Sequence, residues 1–186
     1  MYARFLLVTI CMAVALSACS SYRPAGSAFH KVLTQPYTLD SGDRLRVVVF
    51  DQADLSNDYT VDQAGYLSMP LIGAVAARGA TTGEVELSIA RQLANGFIRT
   101  PDVTVEVAQY RPFFILGEVN SSGQYVYVAG MTVQNAIAVA GGFTARASQR
   151  YVDITRNVNG KIITGRVRLT DPVRPGDTIY VKERLL

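Results

Sequence analysis

Asp51, Asp54 and Asp58 are the first side chains in this sequence that could do chemistry, because clustered carboxylate oxygens are what a calcium ion needs. They lack the one-residue spacing of an oxygen cage and the closing glutamate of the helix-loop-helix form, so the spacing predicts a solvated loop. Gly73, Gly79, Gly141 and Gly142 stand where a phosphate cradle might be sought, but no Lys-Ser/Thr follows any of them, and helix stops and turns are the better reading. His30 is the only histidine and lies among Ser, Ala, Gly and Pro, which makes it a solvated side chain rather than a base or metal ligand. No Ser-Gly nucleophile turn, no paired histidines and no free activated cysteine occur. The reading is a non-enzyme with no catalytic, cofactor-binding or metal-ligating residues. Tyr59, Tyr66, Tyr110, Tyr125, Tyr127, Tyr151 and Tyr180 could stack on sugar rings, but strands and interfaces use tyrosine as readily, and core or interface is the expectation for each. The absence of Trp argues against a tight lectin, and ligand-contacting residues stay unassigned.

The two cysteines, Cys11 and Cys19, belong to the N-terminal stretch. Met1 to Ala18 carries one positive charge, Arg4, then an apolar run from Phe5 to Leu16, then small residues, which is the pattern of a secretory leader. The run is shorter than the roughly 20 apolar residues a spanning helix needs. Leu16-Ser17-Ala18-Cys19 resembles the lipobox of bacterial lipoproteins, which implies a signal peptide over 1–18 and lipidation of Cys19. With Cys11 in the leader and Cys19 thioether-linked, no thiol pair remains for a disulfide. The resemblance associates Ser20, in place of Asp, with transfer to the outer membrane. Removing the leader takes away Arg4 and no acid, so the formal charge falls from +3 to +2, a balance that implies no nucleic-acid partner. Acyl chains contribute about 0.8 kcal/mol per buried methylene, and two or more hold a protein stably on a membrane.

The elements come next. Residues 19–36 mix Ser, Ala, Gly and Pro without a sustained period and read as a tether. Two compact units follow, over 37–110 and 111–186. In the first, a turn at Gly42-Asp43 leads into a strand from Leu45 to Phe50, and Asp62-Gln63-Ala64-Gly65 reads as a turn that opens a hairpin. Tyr66, Leu67, Met69, Leu71 and Ile72 form an apolar run that suits an edge strand or strand end because Pro70 lies inside it, with Gly73 closing it. Thr81 stands three residues before Glu84, the spacing of a reciprocal helix cap. Val85, Ile89, Leu93 and Phe97, flanked by Ala90 and Ala94, give the helix an apolar face, while Glu86, Arg91 and Gln92 are expected to face water. Gly96 or Thr100-Pro101 stops it. Val103, Val105 and Val107 then alternate with polar residues as in a half-buried strand.

In the second unit, strands over Phe113–Leu116 and Gln124–Val128 flank a turn at Ser121-Ser122-Gly123. A short helix from Thr132 to Ala140 turns Val133, Ala136, Ile137 and Ala140 inward and ends at Gly141-Gly142. Strands over 151–156 and 161–169 flank Asn159-Gly160, and a last strand over 178–181 follows Pro175-Gly176-Asp177.

The run from Val61 to Gly73, followed by Gly79-Ala80-Thr81, resembles the core of the polysaccharide export family of bacterial outer-membrane exporters. Tyr37-Thr38-Leu39-Asp40-Ser41-Gly42-Asp43 and Pro101-Asp102-Val103-Thr104-Val105 are similar to the two ends of that family's first domain. Gly117-Glu118-Val119, Gly123-Gln124-Tyr125, Ala140-Gly141-Gly142-Phe143, Val152 to Arg156 and Pro175 to Ile179 are similar to the soluble-ligand-binding β-grasp (SLBB) domain that follows it, with Ser122 departing from the usual proline. The resemblance implies an α+β chain of two small domains, a polysaccharide-export domain and then a β-grasp domain. It implies a homo-oligomeric ring on the outer membrane's periplasmic face, held to lipid through Cys19. It also implies passage of the exported polysaccharide and contact with an inner-membrane polysaccharide co-polymerase. The well-studied capsule translocon carries a further β-grasp domain and a pore-lining C-terminal helix, whereas Lys182-Glu183-Arg184-Leu185-Leu186 offers no spanning element, so an outer-membrane barrel or an adaptor role is expected. The alternative is a monomeric lipid-anchored glycan-binding lipoprotein.

Overall fold

The computed structural model describes residues 25, 26, 29, 35–158 and 160–184. Cys11, Cys19, the leader and His30 lie outside them.

The first core forms where period-two strands meet a capped helix. In β1 (Arg44–Val49) Leu45, Val47 and Val49 point inward and alternate with exposed Arg44, Arg46 and Val48. It is the middle strand of an antiparallel sheet, between β2 (Asn57–Thr60) and β5 (Val103–Gln109). A 3-10 turn at Ala53–Leu55 precedes β2 and buries Leu55. A separate hairpin pairs β3 (Tyr66–Met69) with β4 (Gly73–Ala76). The helix α1 (Thr82–Ala94) starts at the expected reciprocal cap: Thr81 accepts from the Glu84 amide while the Glu84 side chain accepts from the Thr81 amide. Val85, Ile89 and Leu93 are fully buried in the cluster with Leu45, Val47 and Val105. Burying one such aliphatic side chain stabilises the fold by about 1.5–3 kcal/mol.

Three expectations for this unit need correction. The Asp62–Gly65 turn itself forms, with Asp62 Oδ1 accepting from the Gly65 and Tyr66 amides, and the hairpin expected after it is β3–β4. The true hairpin turn is Pro70 to Ile72: Pro70 supplies no ladder donor, Leu71 adopts φ +68, and Gly73 opens β4 instead of closing the run. Helix α1 ends before Phe97, which is exposed, because the chain reverses at Gly96 (φ +99) and Ile98 packs on the core. Glu86 does not simply face water, since its carboxylate accepts from the Val105 amide at 3.2 Å and ties α1 to β5.

The second core lies under a five-stranded mixed sheet in the order β7-β6-β10-β8-β9. Its strands are β6 (Phe113–Gly117), β7 (Gly123–Tyr125), β8 (Tyr151–Val158), β9 (Lys161–Arg168) and β10 (Thr178–Val181). Two hairpins are joined through the last strand, which runs parallel to β6 and antiparallel to β8, the arrangement of a β-grasp. The helix α2 (Val133–Val139) buries Val133, Ala136 and Ile137, and its cap is again reciprocal, with Asn135 in the place of the usual acid. Strand β7 stops at Tyr125 instead of continuing to Val128 because its partner runs back into Pro112, which has no amide to donate. Val126 and Val128 are accordingly exposed.

Gly141 and Gly142 follow α2 with φ +79 and +87, and no atom would crowd a Cβ at Gly142. Gly142→Val should therefore lose stability through backbone strain alone, by about 1–2 kcal/mol. Denaturant melts of Gly142→Val against Gly123→Val check this, and equal midpoints would remove the left-handed requirement.

The stretch read as a tether is docked in part. Ala25 and Phe29 are buried in the second core, and the Ala25 amide donates to the Arg166 carbonyl. Gly165 makes the room, since a Cβ there would lie 2.6 Å from Ala25 Cβ and 3.2 Å from the Phe29 ring. Gly165→Val should release this segment, and limited proteolysis around residues 25–29 should accelerate several-fold while the body of the domain stays resistant. Unchanged cleavage would show that the docking does not depend on the missing side chain.

Candidate functional site at the junction of the two units

Two buried aspartates organise the junction, and they use the same local device. Asp43 accepts from the Asp40 amide three residues back, and Asp177 accepts from the Arg174 amide three residues back. Each follows a glycine of positive φ, Gly42 at +91 and Gly176 at +81, so both Gly-Asp pairs turn the chain into the strand that follows. A buried carboxylate needs a cation and several donors. Asp43, fully buried, receives the Tyr37 hydroxyl at 2.6 Å, the Arg111 amide at 2.8 Å and Arg111 Nη1 at 3.2 Å. Arg111 belongs to the short connection between β5 and β6, so this network fastens the two units together. Burial raises the Tyr37 hydroxyl well above the usual phenol range; Arg111 opposes this and the bond to Asp43 adds to it.

Asp177 grips Arg156 through two bonds of 2.8 and 2.6 Å. Period two along β8 puts Arg156 on the inner face after Val152 and Ile154, where a hydrophobe would normally sit, and it is 3% exposed. Its guanidinium lies over the Phe29 ring at 4.3 Å. Burial pushes the Asp177 carboxyl up, against the pull of Arg156.

Hollows open beside these networks, and two of them adjoin. A cleft of about 390 Å³ is lined by Tyr37, Thr81, Glu84, Arg111, Arg156 and Arg174 among others. A smaller hollow of about 240 Å³ shares Gln35, Tyr37, Arg174 and Pro175 with it and adds Tyr110 and Tyr127. The three tyrosines meet edge to face, Tyr37–Tyr110 at 5.0 Å and Tyr110–Tyr127 at 5.3 Å. This arrangement can hold an anion and present aromatic surface beside it.

The residues singled out in the sequence are scattered. Asp51 takes φ +58 after β1, Asp54 lies on the 3-10 turn, and Asp58 lies on β2, where it faces Arg44 at 3.7 Å. Gly73, Gly79 and the adjacent Gly141 and Gly142 all have positive φ, at three separate turns. Among the described residues no group of three or more His, Cys, Asp or Glu sits together as a metal would require. Tyr110 and Tyr127 come together with Tyr37, whereas Tyr66 and Tyr180 stand exposed on their own strands and Tyr151 stacks with Arg150. Sequence reasoning missed Arg111, Arg156 and Arg174. Their signal was an arginine on the apolar phase of a strand and a repeated Gly-Asp turn, neither of which says which cation meets which acid.

The chain matches the family model for polysaccharide biosynthesis/export proteins over residues 32–108 and the SLBB domain model over residues 112–165. It is 34% identical over 172 residues to the exopolysaccharide production protein ExoF of Rhizobium meliloti (strain 1021), covering 80% of this chain and 41% of that protein. It is 28% identical over 183 residues to the EPS I polysaccharide export outer membrane protein EpsA of Ralstonia nicotianae (strain ATCC BAA-1114 / GMI1000), covering 80% of this chain and 48% of that protein. The Ralstonia solanacearum EpsA is 30% identical with the same coverage. The chain thus spans less than half the length of these relatives. An α+β export unit followed by an SLBB β-grasp defines the class of protein. The chain belongs to the polysaccharide export family.

Proposed function

We propose that this chain is a lipid-anchored, periplasm-facing outer-membrane component of a machine that exports capsule or exopolysaccharide. Copies of it close into a ring that serves as conduit or adaptor. The observation that carries this reading is the succession of an export-family unit and an SLBB unit in a chain similar to ExoF and EpsA. The proposed division is a signal peptide over 1–18, an anchor segment over 19–36, the export domain over 37–110 and the β-grasp domain over 111–186. Its mechanism is passage without side-chain chemistry. Phe114, Leu116 and Tyr180 share the exposed face of the adjacent strands β6 and β10, and Val48 and Phe50 are exposed at the end of β1. Such surfaces on two different units suit a head-to-tail contact, which forms a ring if its rotation closes. The other proposed partners are an inner-membrane co-polymerase, an outer-membrane barrel and the exported polymer.

Lipidation of Cys19 would also orient the protomer. Ala25 is pinned to the second domain and follows Cys19 by six residues, a reach of at most about 20 Å. The β-grasp domain would then lie against the membrane and the export domain would extend into the periplasm. Cys19→Ser should abolish fatty-acid labelling and shift the protein out of the membrane fraction. Persisting label would remove the anchor from the account. Export itself is tested by deleting the gene: polymer should vanish from the cell surface and return with the wild-type chain, and unchanged surface polymer would overturn the reading.

A further inference from the structure

We propose that the junction cleft is a binding site for the carboxylate of an acidic glycan, in which Arg174 meets the anion and the Tyr37–Tyr110–Tyr127 shelf carries the sugar ring. The identity of the ligand as a glycan rests on the export reading, while the anion site rests on the side chains alone. Of the three arginines that line the cleft, two are already neutralised. Arg111 faces Asp43 at 3.2 Å and Asp40 at 3.6 Å, and Arg156 faces Asp177 at 2.6 Å. Arg174 has no carboxylate within ion-pair distance among the described residues, and its guanidinium donates to the Gln35 carbonyl at 3.2 Å. It is half-buried, and burial, then the neighbouring Arg156, lower its pKa against the opposing pull of Asp177, Tyr127 and Tyr37.

A second observation points the same way. Among the described residues Nη1 of Arg156 is buried and has no hydrogen-bond partner, although Arg156 lines the cleft. A donor left unpaired on a charged group costs stability, and in native structures such groups mark a missing ion, water or ligand. The one acid on the cleft wall, Glu84, is committed to the Thr81 amide and hydroxyl at 2.7 and 3.0 Å and does not satisfy the arginines.

Arg174 also lines the adjoining hollow with the three tyrosines. Guanidinium groups pair with carboxylates through two parallel bonds, and tyrosine offers an apolar face with a polar tip, as a sugar ring requires. A free phosphate would use the arginines and leave the aromatic shelf idle. The combined hollows, about 390 and 240 Å³, fall within the range of small-ligand sites.

The test uses the purified full chain with three probes: tetragalacturonic acid, maltotetraose and inorganic phosphate. Calorimetric and NMR titrations should show the uronate binding in a salt-sensitive manner, with ring-proton shifts at Tyr110 and Tyr127, and maltotetraose not binding. Arg174→Gln should weaken the uronate about tenfold or more, whereas Arg46→Gln, on the outer face of β1, should leave it unchanged. On the unmodified protein, tetragalacturonic acid should shield Arg174 from phenylglyoxal, which keeps the question answerable if Arg174→Gln folds poorly. No uronate binding, equal binding of maltotetraose, or phosphate binding that abolishes uronate protection without tyrosine shifts would each overturn the proposal. Uronate binding that persists while gene deletion leaves export intact would instead sink the export reading and keep the site.

Discussion

Asp177→Ala should cost the second domain about 3–5 kcal/mol, because it strands Arg156 in a site where the guanidinium is 3% exposed. The lost pair is bidentate, and the same carboxylate also accepts from the Arg174 amide at the entry to β10. Removing it leaves a buried cation and an unpaired amide together. The expense lies in the orphaned charge rather than in the worth of the bond, so Arg156→Met combined with Asp177→Ala should recover much of the loss. Urea denaturation followed by the fluorescence of the tyrosines reads both numbers. Equal destabilisation by the single and double variants would mean that the pair is not coupled as its geometry requires.

The second large effect is expected at Asp43→Ala, which should cost roughly 3 kcal/mol and loosen the junction. Four donors converge on this carboxylate: the Tyr37 hydroxyl, the Asp40 and Arg111 amides and the Arg111 side chain. Arg111 keeps a weaker partner in Asp40 at 3.6 Å, which is why the cost should stay below that of Asp177→Ala. Tyr37→Phe removes one donor only and should cost about 1.5 kcal/mol. Hydrogen exchange at the Arg111 amide should rise sharply in Asp43→Ala and little in Tyr37→Phe. Similar exchange in both would contradict the carboxylate as the keystone.

What the sequence made legible was local. Period-two alternation locates β5, the Gly-Asp turns mark where β1 and β10 begin, and Thr81 with Glu84 marks the start of α1, because each signal depends on neighbours a few residues apart. Asp58, expected in a solvated loop, lies on β2, whose residues Asn57 to Thr60 carry no apolar alternation to mark a strand. Nothing in Leu71 announced a left-handed residue, so an apolar run was extended through a turn. The junction was illegible for a different reason. Arg111 lies 68 residues from Asp43 and Arg156 lies 21 from Asp177, so their meeting is a property of two folded sheets and of the strap at Phe29. Ala25 and Phe29 looked like linker because two small contacts, not a periodic face, dock them.

The central claim is that this chain exports polysaccharide as an assembled ring and not as a lone binding module. Its most direct test is the native mass of the particle extracted in mild detergent from a strain that is exporting polymer. The account predicts one closed oligomer of defined subunit number with an axial opening in projection images. A monomer as the sole species, with export intact and Arg174 still shielded by uronate, would contradict it.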